Sequence, residues 1–178
     1  MIVVENKKEL IGFIKQRIKE QGPKCDLNDI DVSKMTDMSH LFYWSKFNGD
    51  ISKWDVSRVE SMVGMFAYSD FNGDISKWDV SNVRDMSHMF DSSLFNGDIS
   101  KWNVSNVGYM NSMFRDSRFS GYISQWNVSN VVDMSYMFYE SSFSGDISQW
   151  NVSNVVDMSY MFVGSPLYGR EPEWYRPW

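Results

Sequence analysis

Residues 71–94 read FNGDISKWDVSNVRDMSHMFDSSL, and the chain around them is built from copies of this text. Phe47, Phe71, Phe95, Phe119 and Phe143 open five such copies, each 24 residues after the last. The landmarks keep their order: Phe, a small polar residue, Gly, then Ile-Ser-x-Trp-x-Val-Ser, then Val-x-x-Met-x-x-Met-Phe. Self-similarity at a fixed period of this size marks a solenoid, in which no copy can bury its apolar face alone and neighbours bury it jointly.

Each copy reads as an α/β rung. Ile51–Val56 alternates as a short strand, with Trp54 and Val56 on one face and Lys53 and Asp55 on the other. Ser57-Arg58-Val59-Glu60 has the spacing of a capping box. Val59, Met62, Met65 and Phe66 then share one stripe of a helix of about two to three turns. Asn48-Gly49, Asn72-Gly73 and Asn96-Gly97 suit a turn with positive φ before the next strand. Strands stacked at about 4.8 Å, with helices behind them, predict a right-handed coil of six rungs.

Outward from the repeat, residues 25–46 form a degenerate first rung: Leu27 stands where later rungs have Ile51, and Ile30 where they have Trp54. Val32, Met35, Met38, Leu41 and Phe42 keep the rest of the pattern. Before it, Leu10, Ile11, Phe13, Ile14 and Ile18 fall at helical spacing between lysines and glutamates, predicting an amphipathic helix from Lys7 to Gln21 that Gly22-Pro23 ends. Its expected role is to cover the open end of the stack. After Phe162, Gly164-Ser165-Pro166-Leu167 breaks the pattern, and Trp174, Tyr175 and Trp178 are expected to form an aromatic lid. The division is therefore an N-terminal capping helix over 1–24 and a solenoid over 25–165, followed by a C-terminal cap over 167–178. Within the solenoid the degenerate rung is 25–46 and five 24-residue rungs fill 47–166.

The 178 residues are one domain's worth, and 43% hydrophobic with 16% aromatic residues suffices for a continuous core. A net charge of −6 argues against a nucleic-acid partner, which would call for a basic stripe. Cys25 is the single cysteine, so no internal disulfide forms. No apolar run reaches the length of a membrane span, and the N-terminus carries charges inside its apolar part with no small-residue cleavage site. The expected location is cytoplasmic, or the cell surface or outside the cell if an export segment has been removed.

With these residues in view, FNGDISKWDVSNVRDMSHMF resembles the Trp- and Met-rich repeat, about 25 residues long, of bacterial surface proteins grouped under a mycoplasma and lipoprotein-type domain of unknown function. Ile-x-x-Trp-x-Val resembles the strand of leucine-rich repeats, and the Met-Phe pair resembles the Ala-Phe pair of BspA-like repeats. The resemblance spans residues 25–165. It implies a right-handed leucine-rich-repeat-like solenoid and, since many relatives are cell-surface adhesion or binding proteins, a protein-binding role. It carries over no activity and no defined site residue. The rungs depart from many leucine-rich repeats in having Val where those have a buried Asn.

Three surfaces are candidates for function. The first is the sheet face, Lys53, Lys77, Lys101, Gln125 and Gln149 beside Asp55, Asp79, Asn103, Asn127 and Asn151, which the leucine-rich-repeat resemblance favours as a partner site. The second is the helix side, where copies differ: Glu60, Gly64, Ala67 and Arg84, His88, Asp91 read as a solvated face, whereas Val132, Tyr136, Tyr139, Val156, Tyr160 and Val163 form an apolar patch. Such a patch marks an interface with a partner or a second copy, or else lies under the aromatic tail. The third is the ladder Asp50, Asp74, Asp98 and Asp146, aligned like the carboxylates of calcium-binding coils. Tyr122 interrupts it and each turn lacks a second acid, so the expected role is to accept turn N–H groups, with no metal bound. His40 and His88 read as outward positions, and no phosphate loop, zinc spacing or nucleophile elbow is present. The sequence thus points to a protein that is not an enzyme and calls for no cofactor. The expected partner is a protein, with a carbohydrate or self-association as alternatives.

Overall fold

The computed structural model describes residues 1–177; Trp178, expected in the aromatic lid, lies outside the described residues. The chain opens with strand β1 (Ile2–Val3), continues through helix α1 (Lys7–Gln21) and pairs β1 in parallel with β2 (Ile30–Asp31). The expected helix has its expected bounds. Asn6 caps it by accepting from the Glu9 N–H at 3.0 Å, and the Glu9 carboxylate reaches back to the Glu5 N–H at 2.9 Å. Gly22, at φ +86°, sends its N–H to the Ile18 carbonyl and ends the helix. Leu10 and Ile14 are buried against the first copy, and Lys7 reaches over its edge to Asp37 and Ser39. Among the described residues no helix is long and apolar enough to cross a membrane.

From Cys25 onward the copies lie on one another in register. Residues 37, 61, 85, 109, 133 and 157 form a continuous series of parallel bridges. The inward columns are those the repeat implied. Phe66, Phe90, Phe114 and Phe138 stack at centroid spacings of 5.7, 5.7 and 5.8 Å, and Phe71, Phe95 and Phe119 at 6.3 and 6.4 Å. Every Trp of the repeat is buried, and its indole N–H donates to a carbonyl 27 residues earlier, as from Trp102 to Ile75 at 3.1 Å. Trp54 donates to Leu27, which places the degenerate rung in the same columns. Met62, Met65 and their counterparts are also buried. Burial of one such side chain stabilises by about 1.5–3 kcal/mol, so neighbouring copies hold together without a metal or cross-link.

The backbone inside each copy differs from expectation. Neither the strand Ile51–Val56 nor the helix starting at Val59 forms, and turns take their place. Met62, Gly64, Phe66 and Tyr68 donate their N–H groups to Asp85, Ser87, Met89 and Asp91 of the next copy. The intervening Met65 and Ala67 donate to Met62 and Gly64, three residues back. Two consecutive tight turns bring 62, 65 and 66 to one side as a helix would, but half of the amides point along the stack instead of closing on their own chain. Ser57 is not a helix cap: its N–H and hydroxyl both bond the Asp55 carboxylate, at 3.0 and 2.6 Å.

Gly49, Gly73, Gly97, Gly121 and Gly145, expected at positive φ, are absent from the left-handed region, whereas Gly169, 24 residues after Gly145, stands there at φ +79°. The first five are glycines for space. A Cβ at Gly73 would lie 2.8 Å from the Phe71 ring and 3.1 Å from the Gly49 carbonyl of the preceding copy. Asparagines beside them form a ladder: Asn48 Oδ1 accepts from the Asn72 N–H, and Asn72 Oδ1 from the Asn96 N–H.

The segment expected to be a C-terminal cap continues the columns of the copies before it. Leu167, Gly169 and Trp174 stand 24 residues after Phe143, Gly145 and Trp150. Trp174 stacks on Trp150 at 6.3 Å and donates to the Ile147 carbonyl at 3.0 Å, as the other tryptophans do one copy earlier. Tyr175 packs edge-on against Phe162 at 5.0 Å.

Candidate functional site

The Lys/Asp surface expected to be a sheet face lies on turns, and its acceptors are already engaged. Asp55, Asp79, Asn103, Asn127 and Asn151 each accept the N–H of the serine two residues on. Lys53, Lys77, Lys101, Gln125 and Gln149 are exposed, and among the described residues none of the three lysines forms an ion pair. Repetition at this surface serves the turns. The acid ladder behaves likewise: Asp50, Asp74, Asp98 and Asp146 accept the N–H of Ser52, Ser76, Ser100 and Ser148, each at 2.9 Å. Those backbone N–H groups are the main cause that holds the four carboxyls below the ordinary carboxylate value.

The opposite situation holds on the surface formed by the turns that start near Ser61. Two columns there run along the stack: His40, Gly64, His88, Ser112, Tyr136, Tyr160 and Trp44, Tyr68, Ser92, Asp116, Glu140, Gly164. All twelve residues have positive φ, between 48° and 75°. Beside them runs a third column, Tyr43, Ala67, Asp91, Arg115, Tyr139, Val163. Core positions barely change between copies, whereas these three columns change at almost every step.

The Val/Tyr patch occupies one end of this face. Val156 is 83% and Tyr160 55% exposed, and Tyr160 stacks on Tyr136 at 5.0 Å. Tyr139 and Val163 are half-buried, as is Val132. The tail packs over Trp150 and Phe162 and only meets the rim of the patch, where Tyr168, Glu171 and Tyr175 form a groove with Tyr160 and Val163. The patch is therefore not the tail's seat.

A second aromatic cluster, which sequence reasoning missed, lies at the other end. Trp44 stacks on Tyr68 at 5.4 Å, and Tyr43 meets Tyr68 edge-on at 5.7 Å. Trp44 is 70% exposed. The signal was available: comparing copies column by column, without favouring apolar runs, isolates positions 43 and 44.

Between the clusters the expected solvated face is instead a polar network. Asp91 and Ala67 are buried. The Asp91 carboxylate holds His88 Nδ1 at 2.9 Å, accepts from the Ser92 hydroxyl at 3.0 Å and has Arg115 Nη1 at 3.8 Å. Arg115 also lies over the Tyr139 ring, 5.8 Å from its centroid. Ser87 donates to Asn111 Oδ1 at 2.6 Å and so orients that amide. Three successive copies contribute to the cluster, which is why no single copy revealed it.

The family model described as Mycoplasma protein of unknown function, DUF285, matches residues 14–119 and 93–173, two overlapping placements as suits a periodic chain. No curated protein and no solved structure matches the chain.

Proposed function

We propose that this chain, which belongs to the Mycoplasma protein of unknown function family, DUF285, is a non-enzymatic repeat scaffold that binds a protein partner through its variable face. One observation carries the reading. Ten of the twelve left-handed positions on that face bear a side chain, although glycine would occupy them without strain. A residue other than glycine there costs of order 1 kcal/mol, and such strain is retained where the side chain serves a purpose. Nine of these ten side chains are at least partly exposed, Ser112 alone being buried, so the Phe, Trp and Met columns do not rest on them. The exposed Val156 and stacked Tyr136 and Tyr160 supply the apolar centre that a protein interface requires.

The wider architecture we propose is a right-handed, leucine-rich-repeat-like solenoid of the BspA-like kind, with α1 closing one end. Support comes from the parallel bridges between copies and the columns of Phe and Trp. The test is affinity capture with the wild-type chain and with the double variant Val156→Asp, Tyr160→Asp, both residues being exposed enough to change without unfolding. A protein captured by the wild type, identified and purified, is expected to bind the variant at least tenfold more weakly, a loss of about 1.4 kcal/mol or more. Equal binding by a variant of unchanged melting temperature overturns the placement. Sedimentation over a concentration series separates a foreign partner from a second copy of the chain.

A further inference from the structure

Midway along the variable face, where the column His88, Ser112, Tyr136 passes, lies a groove of about 460 Å³ lined by His88, Asn111, Ser112, Arg115, Ser135 and Tyr136. That volume is within the roughly 300–1,000 Å³ usual for small-molecule sites. Its origin is a missing ring. Where adjacent copies both carry a ring in this column the rings stack, as Tyr136 does on Tyr160 at 5.0 Å. Ser112 puts only a hydroxymethyl group at the same backbone angle, φ 56°. His88 and Tyr136 are therefore two copies apart, about 9–10 Å at the usual strand spacing, with the buried Ser112 between them at the floor of the groove.

The chemistry around the gap selects what fills it. The Asp91 carboxylate lies 2.9 Å from His88 Nδ1, and a ring that donates there from Nδ1–H presents Nε2, 3.5 Å from Asn111 Nδ2, as an acceptor. Arg115 and Asn111 offer donors, and the Ser112 and Ser135 hydroxyls offer both roles. The Ser135 hydroxyl already donates to Asp133 at 2.7 Å, which leaves its lone pairs as acceptors. The Asp91 negative charge and the Arg115 positive charge lie side by side and offset one another. A carboxylate ligand would meet the buried Asp91 carboxylate 2.9 Å behind the imidazole. An apolar ring would take water from the Ser112 hydroxyl and from the remaining Arg115 and Asn111 N–H groups without replacing it. A neutral ring with alternating donors and acceptors on its rim and C–H groups on its flat face satisfies both walls and rim.

We infer that this groove is a saccharide-binding site, taking one pyranose ring of a neutral glycan against the face of Tyr136, with Asn111, Arg115 and His88 bonding its hydroxyls. Asp91 does not touch the sugar; it positions His88 and Arg115. The site is distinct from the protein-docking patch in its residues, apart from Tyr136, and does not depend on a protein partner being found.

The test uses the full chain with amide and aromatic-ring NMR spectra, titrated with the methyl glycosides of glucose, galactose and N-acetylglucosamine. At least one is expected to shift the His88 and Tyr136 ring signals and the Ser112 amide, saturably, in the millimolar range. Ser112→Tyr fills the gap while keeping a backbone angle at which Tyr136 and Tyr160 already stand, and it is expected to abolish those shifts. Arg115→Ala is expected to weaken them several-fold without filling the groove. No shift with any of the three sugars at tens of millimolar, or equal binding by Ser112→Tyr of unchanged melting temperature, overturns the site. Shifts with N-acetyltyrosinamide in place of the sugars also overturn it, and would make the groove an anchor for a partner's side chain.

Discussion

Trp102 shows how one side chain can serve two terms at once. Its indole is buried in the Trp column, and its Nε1 satisfies the Ile75 carbonyl at 3.1 Å. Trp102→Ala removes both and opens a hole between copies that are held in place by their neighbours, so a loss of about 3–5 kcal/mol is expected in urea unfolding. Trp102→Phe keeps most of the apolar contact and removes one of the two hydrogen bonds to the Ile75 carbonyl, which still accepts from the Trp78 N–H at 3.1 Å, a smaller cost of about 0.5–1.5 kcal/mol. Equal melting of wild type and Trp102→Ala would remove the tryptophans from the list of what holds the copies together. Inward placement of this residue was legible from the alternation Trp-x-Val, because burial of a large ring at a fixed phase leaves no other arrangement. The hydrogen bond was not legible, since its acceptor stands 27 residues away.

The last turn of chain offers a test of a single element. Trp174 lies on Trp150 and takes the Ile147 carbonyl, and Tyr175 lies against Phe162. Deleting residues 168–178 exposes those surfaces at one end only. In a stack where each copy touches its neighbours, the expected loss is local: amide protection should fall from Phe143 onward and persist near Trp54 and Trp78. Uniform loss, or none, would contradict the role of the tail as a continuation of the columns. Three positions of the tail break the pattern, Leu167 for Phe, Glu171 for Ile and Pro172 for Ser, and so mask the continuing columns in the sequence. The 24-residue step from Trp150 to Trp174 and from Gly145 to Gly169 was nonetheless present in the text.

Across the full stack, the turns respond to acid together. Asp50, Asp74, Asp98 and Asp146 have folded values below the ordinary carboxylate value of 3.8 because each accepts a serine backbone N–H. A depressed folded value means that the unfolded chain binds the proton more readily, so this stabilisation is present above about pH 4 and is lost as pH falls through the folded values. The melting temperature is expected to hold between pH 5 and 7 and to drop below about pH 4. Replacing Asp98 and Asp146 by Asn, which still offers an amide oxygen to Ser100 and Ser148, should flatten that drop. An acid drop of the same size in the double variant would assign the pH dependence to other groups.

What the chain's text determined by itself was phase: the period, the helix from Lys7 to Gln21 and the inward columns of Trp, Val, Met and Phe. Those follow from local rules, since apolar side chains recurring at fixed positions must share one side whatever path the backbone takes. Only the tertiary structure decided the path. A short helix and a pair of tight turns both bring Met62, Met65 and Phe66 together, and they differ in whether an amide closes on its own chain or on a copy 24 residues away. The same holds for the groove, because His88, Asn111, Arg115 and Ser135 belong to different copies and become one site through stacking alone.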